Sequence, residues 1–147
     1  MKSKIFIISV VSLLLVACGF TDDFMRARRM PAPTASANNA PMIFGGQDHD
    51  IYLGNISLQQ GDRDSIYNLQ GKYGDPNADL SISNKKSIYG SATSALSACN
   101  PQATNPPILV NKYNNVLGDF TLNAERETKL SDDVIGSLRK LCKTRGA

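Results

Sequence analysis

A 16-residue internal repeat constrains the fold of this chain more than any other feature of its sequence. Ser65-Ile-Tyr-Asn68 recurs as Ser81-Ile-Ser-Asn84 and more loosely as Ser97-Ala-Cys-Asn100, and Tyr73-Gly74 recurs as Tyr89-Gly90. Serine suits the N-cap of a helix and glycine suits a backbone of positive φ, so each copy carries a start and a stop signal. The repeats at 65–100 therefore predict short turns or single helical turns, with Ile66 and Ile82 pointing inward.

Regular elements are predicted on both sides of the repeats. Ile51–Leu58 has the composition of a strand, with Ile56 and Leu58 alternating against polar neighbours. Residues 107–123 predict a β-hairpin that turns at residues 113–115, because asparagine tolerates the left-handed backbone of such turns. In its return strand, one face is expected to hold Val116, Gly118, Phe120 and Leu122.

The chain ends in a predicted helix at residues 131–143. Ser131 is its expected cap, and Asp132 and Asp133 in the first turn agree with the helix dipole. An apolar stripe along the helix favours packing against the rest of the domain over a membrane or partner contact; it consists of Val134, Ile135, Leu138, Leu141 and Cys142. The fold class that these elements predict is α+β, in one small, loop-rich domain at residues 43–147.

The N-terminal segment, from Met1 to Cys18, has the organisation of an export signal. Lys2 and Lys4 precede the apolar run Ile5–Val16, which as a helix would span about 18 Å, too short for the roughly 30 Å hydrocarbon core of a bilayer. Leu15-Val-Ala-Cys18 resembles the lipobox of bacterial lipoproteins. The resemblance implies removal of residues 1–17 as a signal peptide and acylation of Cys18 with a diacylglycerol and a third chain such as palmitate. The alternatives are an ordinary signal peptide with a chance cysteine and an uncleaved N-terminal anchor.

Residues 18–42 are predicted to be the acylated cysteine and a linker, because the stretch Met30–Pro41 is small, polar and interrupted by prolines. Removal of residues 1–17, which carry two lysines, leaves enough chain for one modest domain and lowers the formal net charge from +3 to +1. A nucleic-acid partner is therefore not predicted. Three arginines at positions 26, 28 and 29 can reach anionic head groups, although a solvated tether is the favoured interpretation.

Two cysteines, Cys99 and Cys142, are left once Cys18 is acylated. Exported proteins live in an oxidising compartment, so the pair predicts a disulfide, which in the loop-entropy model contributes about 4 kcal/mol as an upper bound. Two buried thiols are the alternative. A metal site would need more ligands than these two, and no metal or cofactor is predicted.

Candidate site residues are few. His49, between Asp48 and Asp50, is the catalytic candidate, as a general base or a metal ligand. Neighbours in an extended segment point to opposite faces, however, which favours a surface loop. The stretch from Asp75 to Asp79 resembles the start of a calcium loop, yet Leu80 replaces its glycine. The predicted contact surface is the set of polar repeat loops, with Tyr67, Tyr73 and Tyr89.

The order of the motifs resembles a family of small exported bacterial proteins without an assigned activity, some of which occur beside nuclease-like modules. The resemblance runs from Tyr52-Leu-Gly54, through the Ser-Ile-x-Asn and Tyr-Gly repeats, to Asn105-Pro-Pro107 and Gly118-Asp-Phe-Thr-Leu-Asn123, which covers residues 51–123. Members carry cysteines soon after Tyr-Leu-Gly. This chain has Asn55 and Leu58 there, so pairing or ligation by those cysteines does not carry over.

The function predicted from these features is that of a lipid-anchored envelope protein, in the outer membrane rather than the inner one because Gly19 and not aspartate follows Cys18. Its partners are the membrane and an envelope protein, and a non-enzymatic binding or structural role is favoured. One alternative is a small envelope hydrolase or nuclease accessory that uses His49. Another is a lipoprotein of phage or plasmid exclusion.

Overall fold

The computed structural model describes residues 39–126 and 130–144, so the predicted signal peptide, Cys18 and the linker as far as residue 38 lie outside the described residues. The architecture is α+β, as predicted. The fold contains a four-stranded antiparallel sheet, in which a long segment built of turns connects the second strand to the third. A helix follows the fourth strand. The strands are β1 (Met42–Gly45), β2 (Ile51–Asn55), β3 (Ile108–Val110) and β4 (Val116–Asp119).

The strand order β2-β1-β3-β4 gives the sheet two distinct ends. Met42 pairs with Asn55 and Val110, and Val110 pairs with Val116. The chain therefore enters the sheet where β2 leaves it and where β3 turns into β4. We call this the entry end, and we call the opposite end, which carries the turn between β1 and β2, the far end.

The predicted hairpin is confirmed, but the expected face of its return strand is wrong. Val116 is 62% exposed whereas Phe120 is 1% exposed. The register shifts between Leu109 and Val110, so an extra residue on β4 breaks the alternation, and β4 ends at Asp119. The strand predicted at Ile51–Leu58 also ends early, at Asn55.

Residues 62–103, which we call the turn ribbon, explain the 16-residue repeat. Backbone N–H groups bond to carbonyls three residues back at nearly every third residue, as from Asn68 to Ser65 and from Asn84 to Ser81. Each repeat adds one step of four residues, which ends at Asp75 in the first copy and at Ser91 in the second. The period of 16 thus arises from four steps of three residues and one of four, and the repeats are turns rather than helical turns.

The recurring serines and asparagines stabilise the ribbon with their side chains. In all three copies the serine Oγ accepts the N–H two residues ahead, and the asparagine Oδ1 does the same. Each asparagine Nδ2 also donates to the carbonyl six residues back, which belongs to Asp62, Ala78 or Ser94. The asparagine amide therefore bridges two successive turns by hydrogen bonds. This bridging requires an asparagine at the same position in each copy.

Glycine ends each unit because a side chain would collide with the backbone there. The expectation that these glycines have positive φ is wrong. Gly74 and Gly90 are not among the positive-φ glycines of the described residues. A Cβ at Gly90 would meet the carbonyl oxygens of Ile82 and Asn84, and a Cβ at Gly74 would meet that of Asn68. The four-residue step brings the chain back against its own backbone, where no side chain fits.

The helix α1 (Asp132–Thr144) agrees with the prediction to within one residue. The disulfide Cys99–Cys142 joins α1 to the turn ribbon, as predicted. A single core unites the elements: it holds Ile43, Leu53 and Leu109 of the sheet, Ile66, Ile82 and Ala98 of the ribbon, Phe120 beyond β4, and Leu138 and Leu141 of α1. Within the described ranges no helix has the length and hydropathy of a transmembrane span.

Candidate functional site

His49 lies in the turn between β1 and β2, at the far end of the sheet. Its φ is 52°, and its Nε2 lies 2.9 Å from the carbonyl oxygen of Pro106, to which this nitrogen donates when protonated. Asn105 Nδ2 donates to the carbonyls of Gly46 and Gln47 in the same turn. The observed role of His49 is therefore to hold this turn against the segment that precedes β3.

The carboxylates beside His49 do not form a ligand set with it. Asp48 and Asp50 are both exposed, and residues 39–126 and 130–144 contain no group of three or more His, Cys, Asp or Glu side chains placed to hold a metal ion. In the calcium-like stretch, Asp75 Oδ1 accepts the N–H of Asn77 at 2.8 Å. That carboxylate is engaged in closing its own turn.

Two of the tyrosines expected at the contact surface belong to the core instead. Tyr73 is 9% exposed and Tyr89 is 5% exposed. Tyr73 packs on Gly54 of β2 and Tyr89 on Gly45 of β1, where the missing side chains leave room for the rings. The prediction that Tyr73 and Tyr89 form a contact surface is wrong for this reason.

Burial changes the acidity of these rings. Tyr52 contacts Tyr73 edge to face, with 5.1 Å between ring centroids. Burial, and after it the charge of Asp64, raises the pKa of both Tyr52 and Tyr73. Burial, followed by the charge of Asp50, likewise raises the pKa of Tyr89. These hydroxyls stay protonated at neutral pH, so the rings serve as packing elements rather than as acid–base groups.

Tyr67, the third expected contact tyrosine, is half-buried and lines a groove at the start of the turn ribbon. The groove has a volume of about 540 Å³ and lies between the loop after β2 and the first turns of the ribbon. Every side chain that lines it is uncharged: Ser57, Leu58, Gln59, Gln60, Ser65, Tyr67, Asn68, Leu69 and Gln70, with Gly61 between them. Pockets for small molecules have volumes of roughly 300–1,000 Å³, and this groove differs from most of them in that most of its lining residues are polar.

The groove has a fixed floor and an apolar rim. Ser65 Oγ donates to the carbonyl of Ser57 at 2.6 Å, and the N–H of Ser57 bonds to Asn55 Oδ1 at 3.0 Å, so the two walls are tied together. On the rim, Leu58 is 85% exposed and Leu69 is 54% exposed. The groove thus combines neutral hydrogen-bonding groups with two leucines that are open to a ligand.

Sequence reasoning missed this groove because it took Leu58 for a strand residue. The available signal was Gln59-Gln60-Gly61, a polar run with a glycine that follows Leu58 directly and marks a loop. Gly61 has a φ of 85°, which confirms a turn at this place.

Comparison of the chain with protein-family models, with curated proteins and with solved structures finds no match. The resemblance to exported proteins with Ser-Ile-x-Asn repeats therefore stays a prediction.

Proposed function

We propose that this chain is a lipoprotein of the bacterial envelope, held at Cys18 in the outer membrane, whose folded domain binds an envelope protein without catalysing a reaction. The lipobox Leu15-Val-Ala-Cys18 supports the anchor. The Cys99–Cys142 disulfide agrees with an oxidising compartment. The observation that carries the binding role is the uncharged groove with its exposed leucines.

The chemistry of the groove favours an extended protein segment as the ligand. Amide side chains of Gln59, Gln60 and Gln70 offer donors and acceptors at neutral charge, which matches the alternating groups of a peptide backbone. Leu58 and Leu69 offer apolar surface to a side chain of the segment. Because the walls are already tied by hydrogen bonds, the groove loses little conformational freedom when it binds.

Site-specific photo-crosslinking in intact cells tests this proposal. A photoreactive amino acid at Gln70 should give a discrete adduct with an envelope protein. The same amino acid at Gln102 should not, although Gln102 is also exposed and occupies the equivalent turn of the third repeat. Equal adducts at both positions, or none at Gln70, would contradict a binding role for the groove.

A pair of matched substitutions tests the leucine rim. Leu69→Asp places a charge on the rim and should abolish the adduct at Gln70, whereas Ile88→Asp should leave it unchanged. Both side chains are about half exposed, at 54% and 52%, and Ile88 does not line the groove. Mass spectrometry of the mature protein tests the anchor separately, because maturation of a lipoprotein adds a diacylglyceryl group to the thiol of Cys18 and cleaves the peptide bond before it, which removes residues 1–17.

A further inference from the structure

The entry end of the sheet brings separate exposed apolar side chains to one side of the domain. Leu58 follows the end of β2, and Tyr113 and Val116 lie at the turn from β3 to β4; they are 85%, 70% and 62% exposed. β2 and β4 are three strand spacings apart, roughly 14 Å. Single exposed apolar residues are ordinary, but three at one end of a sheet indicate a contact surface.

The hairpin tip presents its tyrosine rigidly. Asn111 Oδ1 accepts the N–H groups of Tyr113 and Asn115 at 2.9 and 3.0 Å, and Asn114 takes the left-handed conformation with a φ of 62°. Lys112 Nζ lies 5.0 Å from the centroid of the Tyr113 ring. Tyrosine beside lysine is a combination suited to a membrane interface, where the ring lies at head-group level and the ammonium reaches phosphate.

The hairpin tip and the turn between β1 and β2 carry charges of opposite sign. At the entry end, Lys112 is the charged residue of the hairpin tip, residues 110–116, and at the end of β2 the carboxylate of Asp62 accepts a hydrogen bond from Asn55 Nδ2 at 3.2 Å. At the far end, Asp48 and Asp50 are exposed. An anionic surface therefore attracts the hairpin tip through Lys112 and repels the exposed carboxylates of the turn between β1 and β2.

The length of chain between Cys18 and the sheet limits how far the domain can move from the anchor. The chain enters the sheet at Met42 from the side of Cys18, and the segment between Cys18 and Asn39 spans at most about 70 Å when fully extended. A lipid attached at Cys18 thus keeps the domain within about 70 Å of the bilayer, so even a weak contact is populated.

We infer that the entry end is a membrane-docking surface, in which Tyr113 and Val116 contact the interfacial layer of the lipid and Lys112 contacts lipid phosphates. The inference rests on the proposed anchor at Cys18. It fixes the orientation of the domain, with Asp48 and Asp50 directed away from the membrane. The groove, whose rim includes Leu58, then opens beside the bilayer.

Tryptophan fluorescence of the full mature protein tests this orientation, because the chain has no tryptophan of its own. Tyr113→Trp is the reporter and Ile88→Trp is the matched control, since Ile88 is exposed but adjoins Tyr89, which packs on Gly45 near the far end. The proteins are incorporated into vesicles of phosphatidylethanolamine and phosphatidylglycerol that contain phosphatidylcholine brominated in its acyl chains. Emission at position 113 should shift to shorter wavelength and be quenched, while emission at position 88 should not change.

Two outcomes overturn the inference. If position 113 is quenched no more than position 88 in acylated protein, the domain does not dock by its entry end, and the proposed anchor is unaffected. If mass spectrometry of the same preparation shows an unmodified residue 18, both the anchor and the docking inference fail. A partner protein or a second copy of the chain on this surface would give the first outcome.

Discussion

The close approach of Gly90 to the carbonyls of Ile82 and Asn84 shows why single residues recur at a fixed interval along the ribbon. At each interval the backbone returns on itself, and the only side chain that fits is a hydrogen atom. The amide of Asn84 reaches back six residues to the carbonyl of Ala78. Residue identity in the ribbon is thus determined by space and hydrogen bonding within one repeat.

Gly90→Ala is expected to lower the free energy of unfolding by about 1–3 kcal/mol, because the new Cβ meets backbone atoms that cannot move aside. Urea denaturation followed by circular dichroism measures the change. Gly136→Ala is the control: a Cβ at Gly136, inside α1, meets nothing within 4 Å. This variant should be more stable than the parent by about 0.5–1 kcal/mol. If the two variants shift the urea midpoint equally, steric exclusion of a Cβ at Gly90 does not explain why glycine is required there.

At the scale of elements, α1 depends on a covalent link to the ribbon. It has 13 residues, which is short for a helix to be stable alone in water, and the bridge from Cys142 to Cys99 closes a sequence separation of 43 residues. The packing of Leu138 and Leu141 in the core adds to the link.

Removal of the disulfide with Cys99→Ala/Cys142→Ala should lower the free energy of unfolding by about 2–5 kcal/mol and increase hydrogen exchange in α1 before the sheet. Urea denaturation and hydrogen exchange measured by mass spectrometry test this expectation. A reducing agent should reproduce the loss in the parent protein and have no effect on the double variant. A parent protein that is insensitive to reduction would show that the two sulfurs are not joined.

The elements that the sequence predicted are those with local signals. The helix carries an N-terminal serine, acidic residues and an apolar stripe, and the hairpin carries asparagines in its turn. β1 was missed because Met42–Gly45 is too short to show a period, and its place at the centre of the sheet comes from pairing with β2 and with β3, which lies beyond the whole turn ribbon in the chain. The repeat predicted turns correctly, but no local signal shows that its tyrosines pack on Gly45 and Gly54.

The candidate site was less predictable than the fold, because its contacts join segments that no local sequence signal relates to each other. The groove depends on the hydrogen bond from Ser65 Oγ to the loop after β2. The sequence does not show that these two segments lie close together. His49 was recognised as a chemical candidate from its neighbours. Its actual partner, the carbonyl of Pro106, is 57 residues away.

At the scale of the whole molecule, the buried Tyr73 and Tyr89 and the partly buried Tyr52 make the stability of the fold fall at alkaline pH. Their pKa values are raised above 10 in the folded protein, so between pH 10 and the folded pKa the unfolded chain loses protons that the folded protein keeps. Stability contributed by these groups is complete below pH 10 and is lost as the pH rises, at up to about 1.4 kcal/mol per pH unit for each ring.

Urea denaturation at pH 8 to 12 should therefore show a falling free energy of unfolding above pH 10, and Tyr52→Phe should make the fall less steep. Tyr52 is the informative choice because its pKa is raised furthest, by burial and then by Asp64. Parent and variant curves of identical slope would show that Tyr52 ionises equally in the folded and unfolded states.

The fixed step of the turn ribbon has a consequence for how such a molecule can change length. The turns of each unit are closed by hydrogen bonds within that unit or to the turn before it, so a duplication of one whole repeat would keep every serine, asparagine and glycine of the ribbon in register. A duplication of any other length would bring bulky side chains where the backbone closes on itself. Tandem duplication can therefore lengthen this architecture only by whole repeats, and homologues of different length are expected to differ by a multiple of one repeat.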